Sequence, residues 1–209
     1  MRIVVVSSYN RLRNEAEIYN ALFDAGLQTL HIRKPRFSTR KIKNLIETVQ
    51  EKYHNRIVIH SHFQLAMEYN IKGLHLTKDQ KEKNIINWIK LKYIHYKKPS
   101  LHYSTSHTGL SRILKMHRPY EYVFLRPIFD IRTSEFKDYY TKEKLIEAVK
   151  ESPYPLLACG GVKVSNIELI KEIGFAGLVI HSSIWKKEDP VGEFQKFLDA
   201  FKALNINVE

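Results

Sequence analysis

A chain of 209 residues, 44% of them hydrophobic, has material for one sizeable core and is short for two, so a single domain over residues 1–209 is expected. The apolar residues come in short runs, none long enough to span a bilayer, and the start MRIVVVSSYN lacks a small-residue cleavage signal; a soluble, cytoplasmic protein with no membrane partner is expected. One cysteine, Cys159, excludes an intrachain disulfide and a cysteine-based metal cluster, while 34 Lys plus Arg against 22 Asp plus Glu leave a net charge of +12 that favours an anionic partner.

RIVVVS (2–7) has the pattern of a buried strand and NEAEIYNALFDAG (14–26) that of a helix closed by Gly26. TLHIR (29–33) then precedes the helical TRKIKNLIETVQEKY, RIVIH (56–60) precedes FQLAMEYN, and GLHL (73–76) precedes NIINWIKLKY. The basic stretch from Lys78 to Lys98 fits a solvated amphipathic helix, and no nucleic-acid module accompanies it, so nucleic acid is not an expected partner. SLHYS (100–104) precedes LSRILKMH, and YVFLRP (122–127) leads through the longest connection to KEKLIEAVK. YPLLAC (154–159) precedes NIELIKEIG, and GLVIH (177–181) precedes VGEFQKFLDAFKAL. Ser165 with Glu168 has capping-box spacing, and Asp189-Pro190 supplies a cap and first turn for the last helix.

Eight such alternations predict parallel strands joined by right-handed crossovers. No GxGxxG follows the first strand, which disfavours an open doubly wound sheet, so the predicted fold is an α/β (β/α)8 TIM barrel.

In such a barrel the strand ends converge on one face and build the site. After strand seven, Gly160 and Gly161 permit a tight turn with uncovered amides; after strand eight, Ser182 and Ser183 add amides and hydroxyls, together predicting a phosphate-binding seat. The alternative is that the glycines only make the turn and the serines only cap a helix. His31 and His60 are the candidate proton carriers, and Arg33 offers a donor fork for a carboxylate or phosphate. Thr105 and Arg126, near the ends of strands five and six, are further substrate-binding candidates. His75, flanked by Leu74 and Leu76, fits a satisfied histidine between strand and helix, and the pair His60 and His62 has no fixed acidic third ligand, so no metal is expected there. The connection PIFDIRTSEFKDYYTKEK (127–144) sets Thr133 and Ser134 beside Arg132, Lys137 and Tyr139, a grouping suited to a second anionic moiety unless it is only a solvated loop.

The blocks LHIRK, IVIHSHFQLAMEYNIKGLHL, STSHT, YVFLRPIFD and LLACGGVKVSNIELIKEIGFAGLVIHSS, in this order and spacing, resemble the thiamine phosphate synthase superfamily, which includes the TenI-like thiazole tautomerases. The resemblance implies a single-domain barrel that binds a thiazole phosphate. Synthases join it to a pyrimidine pyrophosphate and release pyrophosphate; tautomerases aromatise a thiazole carboxylate phosphate. The synthase pattern after strand two, Gln-x-Arg-x-Lys, keeps Arg33 here but has His31 at the glutamine and Pro35 at the lysine. The Asn-Asp ending strand three, whose aspartate binds magnesium, is His60-Ser61, and the second magnesium aspartate falls at Gln80, next to Asp79. The strand-six pattern keeps Pro127 but puts Arg126 at its glycine, Ile131 and Thr133 at its threonines and Ser134 at its lysine. Gly160 and Gly161 match the family's glycine pair, and Ser182 and Ser183 lie in the segment that completes its phosphate site.

The resemblance thus implies a retained phosphate pocket with a rebuilt pyrophosphate half, which places the metal-free tautomerase first: the glycine and serine pairs hold the phosphate, Arg33 orients the carboxylate, and His31 or His60 moves the ring proton. No cofactor is expected in that case. The synthase stands second, with magnesium held by relocated carboxylates such as Asp79 and Asp130; a non-catalytic phosphate-ligand binder stands third. A homo-oligomer is compatible with all three.

Overall fold

The computed structural model describes residues 1–77, 85–116, 119–130, 132–137 and 140–209, without the side chains of 85–88 and 110. Lys78, Asp79, Gln80, Ile131 and Tyr139, which carried sequence expectations, lie outside the described residues.

Eight parallel strands close into a barrel in chain order, as predicted: β1 (Arg2–Val6), β2 (Leu30–Ile32), β3 (Ile57–Ile59), β4 (Gly73–Leu76), β5 (His102–His107), β6 (Tyr122–Leu125), β7 (Leu156–Cys159) and β8 (Gly177–Ile180). Closure comes from β8 pairing with β1, Arg2 opposite Gly177 and Val5 opposite Ile180. Around the barrel run α1 (Glu15–Asp24), α2 (Thr39–Thr48), α3 (Ile85–Lys97), α4 (Leu110–Ile113), α5 (Lys142–Glu151), α6 (Ile167–Ile173), α7 (Ser182–Trp185) and α8 (Pro190–Ala203). Among the described residues, no helix is long and apolar enough to cross a membrane.

Local chemistry sets the helix ends. Asp189 caps α8, its Oδ1 accepting from the amides of Val191 at 3.1 Å and Gly192 at 2.9 Å. The expected Ser165–Glu168 box does not form, because the Asn166 side chain takes the Lys163 amide at 3.0 Å and a 3-10 turn over Val164–Asn166 precedes α6. The expected helix in FQLAMEYN is also only a 3-10 turn, Phe63–Met67, since the chain must return at once to pair Gly73 with Val58. LSRILKMH contributes the single turn of α4.

Side chains alternate between two cores. One faces the helices, where Leu30, Ile32, Leu74, Leu76, Val123 and Leu125 share an apolar cluster with Phe194, Phe197 and Phe201 of α8. The other fills the barrel: Val4, Val6, Tyr122, Phe124, Leu157 and Val179. His31 lies between Leu30 and Ile32, and His75 between Leu74 and Leu76, so both imidazoles share the inward phase. This corrects the expected place of His75: the leucines face the helices and the histidine faces the barrel interior.

Candidate functional site

A cavity of about 440 Å³ opens where the strands end; it is lined by Arg33, His60, His75, Ser106 and Arg126 on one side and by Gly160, Gly161, His181, Ser182 and Ser183 on the other. Tyr9 and Lys186 complete its cationic and aromatic wall. Among the described residues, no Asp or Glu lines it. The residues expected to form the phosphate seat therefore share one cavity with Arg33 and Arg126, although they come from β2, β6, β7 and β8.

The glycine pair also has a packing cause. Gly160 and Gly161 have φ of +92° and +71°, a conformation that L side chains rarely adopt. The connection after β6 crosses directly over them: Ile128 N donates to Cys159 O at 2.9 Å and Phe129 N to Gly160 O at 3.1 Å. A Cβ on Gly160 would lie 2.9 Å from Pro127 Cα, and one on Gly161 would overlap the Phe129 carbonyl oxygen.

At the cavity floor three imidazoles meet. His31 is fully buried; its Nδ1 shares a hydrogen bond with His60 Nε2 at 2.9 Å, and its Nε2 shares one with the Tyr122 hydroxyl at 2.8 Å. His75 Nδ1 pairs with Ser104 Oγ at 3.0 Å, and its ring stacks on His60 with centroids 4.2 Å apart. Burial pushes the His31 pKa down to about 3, with the charge of Lys72 adding to the effect. His60 is held well below the ordinary histidine range by burial first, then by His75, His31, Arg33 and Arg126. His31 and His60 are thus neutral near pH 7. His60 and His75 face the cavity, whereas His31 stands behind His60, so of the two expected proton carriers only His60 lies on the cavity wall.

Arg33 is held from its own backbone, whose amide donates to Ser7 Oγ at 2.9 Å, and its guanidinium lies over the Tyr9 ring at 4.6 Å while donating to the Tyr9 hydroxyl. Tyr9 also packs on His181 at 4.5 Å between centroids. His181 Nε2 is buried without a hydrogen-bond partner, a polar atom that a ligand in the cavity would satisfy. Ser183 Oγ donates to Val162 O, which ties the loop after β8 to the loop after β7. The Cys159 thiol lines the same cavity, and burial pushes its pKa up to about 11, which keeps it a thiol rather than a nucleophile.

Other expected residues are elsewhere. Thr105 is buried and donates to Leu76 O at 2.7 Å, pointing away from the cavity, and Ser104 and Ser106 hold the inward positions of β5 instead. The connection after β6 folds on itself: Phe129 bridges Phe136, Asp130 Oδ1 accepts from Arg132 N at 2.8 Å, and Lys137 pairs with Asp130. Thr133 Oγ1 accepts from Glu135 N at 3.2 Å and Ser134 Oγ from Lys163 Nζ at 2.6 Å. None of Thr133, Ser134 and Lys137 lines the cavity. His62 is turned toward Phe37 O at 2.9 Å and Thr39 Oγ1 at 2.8 Å, away from His60.

These placements bear on magnesium, which needs hard oxygen ligands, usually carboxylates. Asp79 lies outside the described residues, and Asp130 is occupied by Lys137, which together with the Arg132 amide lowers its carboxyl pKa to about 2. Among the described residues the magnesium site implied by the resemblance does not fit this cavity. Tyr9 and Lys186 are cavity residues that sequence reasoning passed over, and His75 and His181 are strand-end residues to which it gave no role in the site. The inward phase of β4 and β8 could have found the two histidines.

The family model described as thiamine monophosphate synthase matches residues 3–184. Among solved structures, the thiamine phosphate pyrophosphorylase from Bacteroides thetaiotaomicron is 29% identical, with a TM-score of 0.77 over 97% of this chain and 98% of that one. The thiamine-phosphate synthase of Persephonella marina (strain DSM 14350 / EX-H1) is 22% identical over 190 residues, 86% of each chain. The thiamine-phosphate synthase of Prochlorococcus marinus (strain AS9601) is 25% identical over 150 residues, 72% of this chain, which spans only 40% of that protein's length. With a closed barrel, a glycine pair after β7 and a match across nearly all its strands, this chain belongs to the thiamine monophosphate synthase family.

Proposed function

We propose that the cavity binds a thiazole phosphate at the loops after β7 and β8 and couples it to a pyrimidine pyrophosphate, releasing pyrophosphate. The carrying observation is the charge of the site: Arg33, Arg126 and Lys186 line one cavity with the glycine and serine pairs, and no carboxylate is among its described residues. Such a lining suits two substrates that bring a phosphate and a pyrophosphate. The names of the relatives support this coupling over the proton shift that the sequence placed first. In this reading the two guanidiniums carry much of the leaving-group neutralisation that magnesium supplies in the family pattern. The test is to incubate the purified chain with both substrates, with and without magnesium, and to quantify thiamine phosphate by chromatography beside an active synthase. Product in either condition supports coupling, and its absence in both refutes it.

A second reading rests on a separate observation, the imidazoles of His60 and His75 on the same wall, that of His60 held neutral by burial. They suit a proton shift on a thiazole carboxylate phosphate, with Arg33 on the carboxylate. Conversion of that substrate without metal, lowered ~10²-fold or more in His60→Gln, supports it. Binding of the thiazole phosphate with neither conversion supports the non-catalytic binder.

A further inference from the structure

We propose that His31, His60 and His75 form a site for one divalent transition-metal ion of the zinc class at the floor of the cavity. The site rests on the imidazole geometry alone; where it is filled, His60 is a ligand and not the proton carrier of the second reading.

The three residues come from neighbouring strands, on β2, directly after β3 and on β4, and one nitrogen from each lies within 4.8 Å of the others. All are buried, at 0%, 8% and 2% exposure. Zinc bound at roughly 2.0–2.1 Å sets tetrahedral ligand nitrogens roughly 3.3 Å apart. His31 Nδ1 and His60 Nε2 stand at 2.9 Å, so small ring rotations admit an ion between them and His75.

The surrounding shell orients the set. Tyr122 is bound at His31 Nε2 and Ser104 at His75 Nδ1, and these two partners are themselves neighbours across β5 and β6. When each outer nitrogen donates its proton to the adjoining hydroxyl oxygen, His31 Nδ1 and His75 Nε2 present lone pairs inward, the arrangement by which ligating histidines are held in one tautomer. Imidazole nitrogens of this kind are ordinary zinc-class ligands. Nitrogen donors without carboxylates select zinc, cobalt, nickel or copper over magnesium.

One force opposes the ion. Arg33 and Arg126 act on His60, and Lys72 acts on His31, and the same positive charges repel a dication. His60 and His75 line the cavity, so the ion's fourth position faces it and is open to a water or a ligand oxygen. An anion there offsets the repulsion.

The test uses the full chain, stripped with a chelator and titrated with Co2+ in the presence and absence of inorganic phosphate. Bound metal is counted by elemental mass spectrometry, and coordination is read from the visible absorption of the cobalt. The expected result is one equivalent per chain with a tetrahedral-type spectrum, displaced by Zn2+ and tighter with phosphate. Binding should weaken at least tenfold in His60→Ala and in His75→Ala but not in His102→Ala, whose half-exposed imidazole pairs with Glu121 at the start of β5. Circular dichroism verifies the fold of each variant, and the rise in melting temperature that Zn2+ gives the unaltered chain should vanish in His75→Ala. Failure of the unaltered chain to take up a stoichiometric ion overturns the proposal, as does uptake undiminished in folded His60→Ala and His75→Ala.

Discussion

Replacing Gly161 with alanine separates a packing role of the glycine pair from a ligand-binding one. At φ +71° an L residue costs about 1–2 kcal/mol relative to its preferred conformations. The new methyl would also overlap the Phe129 carbonyl oxygen and lie 2.9 Å from Phe129 Cβ. That segment is pinned by the hydrogen bonds from Ile128 N to Cys159 O at 2.9 Å and from Phe129 N to Gly160 O at 3.1 Å, so it cannot retreat without losing them. Overpacking of this kind adds about 1–3 kcal/mol, for a total of about 2–5 kcal/mol. Gly26→Ala is the matched control: its φ is +108°, and nothing lies within 4 Å of its added Cβ, so only the backbone cost applies. Urea unfolding of the two variants without ligand reads the difference directly, and at about 2–4 °C per kcal/mol the melting temperature of Gly161→Ala should fall below that of Gly26→Ala by roughly 2–12 °C. Equal stabilities would refute the tight crossing and leave ligand contact as the reason for the glycine.

Two further outcomes follow from buried charge. The His31 pKa is pushed down to about 3, mainly by burial, and His60 is lowered in the same direction, whereas the unfolded chain takes up these protons below about pH 6.5. The contribution of His31 to stability is therefore complete above pH 6.5 and is lost as pH falls toward 3, by about 1.4 kcal/mol per pH unit, and His60 acts in the same direction. Urea unfolding at pH 8 and pH 5 should show the loss, and His31→Gln should reduce the slope; a flat profile contradicts the burial of neutral imidazoles. Glu15 and Lys34 form an ion pair with 5% and 0% side-chain exposure, and Tyr19 donates to the same carboxylate at 2.6 Å. Glu15→Ala strands a buried ammonium and should cost about 3–5 kcal/mol in the same assay, and a change below about 1 kcal/mol would mean that water reaches Lys34.

The barrel was legible because strand and helix signals alternate along the whole chain, but which way each strand faces was legible only in part. In RIVVV both faces are apolar and both are buried, so periodicity carries no sign of inside or outside. LHI and GLHL do carry one: their histidines share a phase, and the leucines and isoleucine around them pack toward the helices. Reading β4 in phase with β2 would have put His75 beside His31, and the same phase on β5 would have chosen Ser104 and Ser106 over Thr105. The connection after β6 was harder. Its hydroxyls and lysine have the composition of an anion site, yet Asp130 captures the Arg132 amide and Lys137 locally, and no spacing rule reveals that a carboxylate inside the loop competes for these groups. The glycine pair announced a turn, but the demand for two glycines comes from Pro127 and Phe129 crossing above, a tertiary fact.

The departures from the synthase pattern also look different once they are placed in space. His31 and His60, two positions at which the resemblance implies a departure from that pattern, touch at 2.9 Å. They meet His75 and are held from below by Tyr122 and Ser104. Loss of function by drift would scatter polar changes without regard to partners, and each unmatched polar group left in a barrel interior would cost about 1–3 kcal/mol. Here His31, His60 and His75 form one imidazole cluster with supporting hydroxyls, opening onto a cavity with two arginines. That coherence argues against a decayed pocket and for a floor built as one unit beneath the cavity.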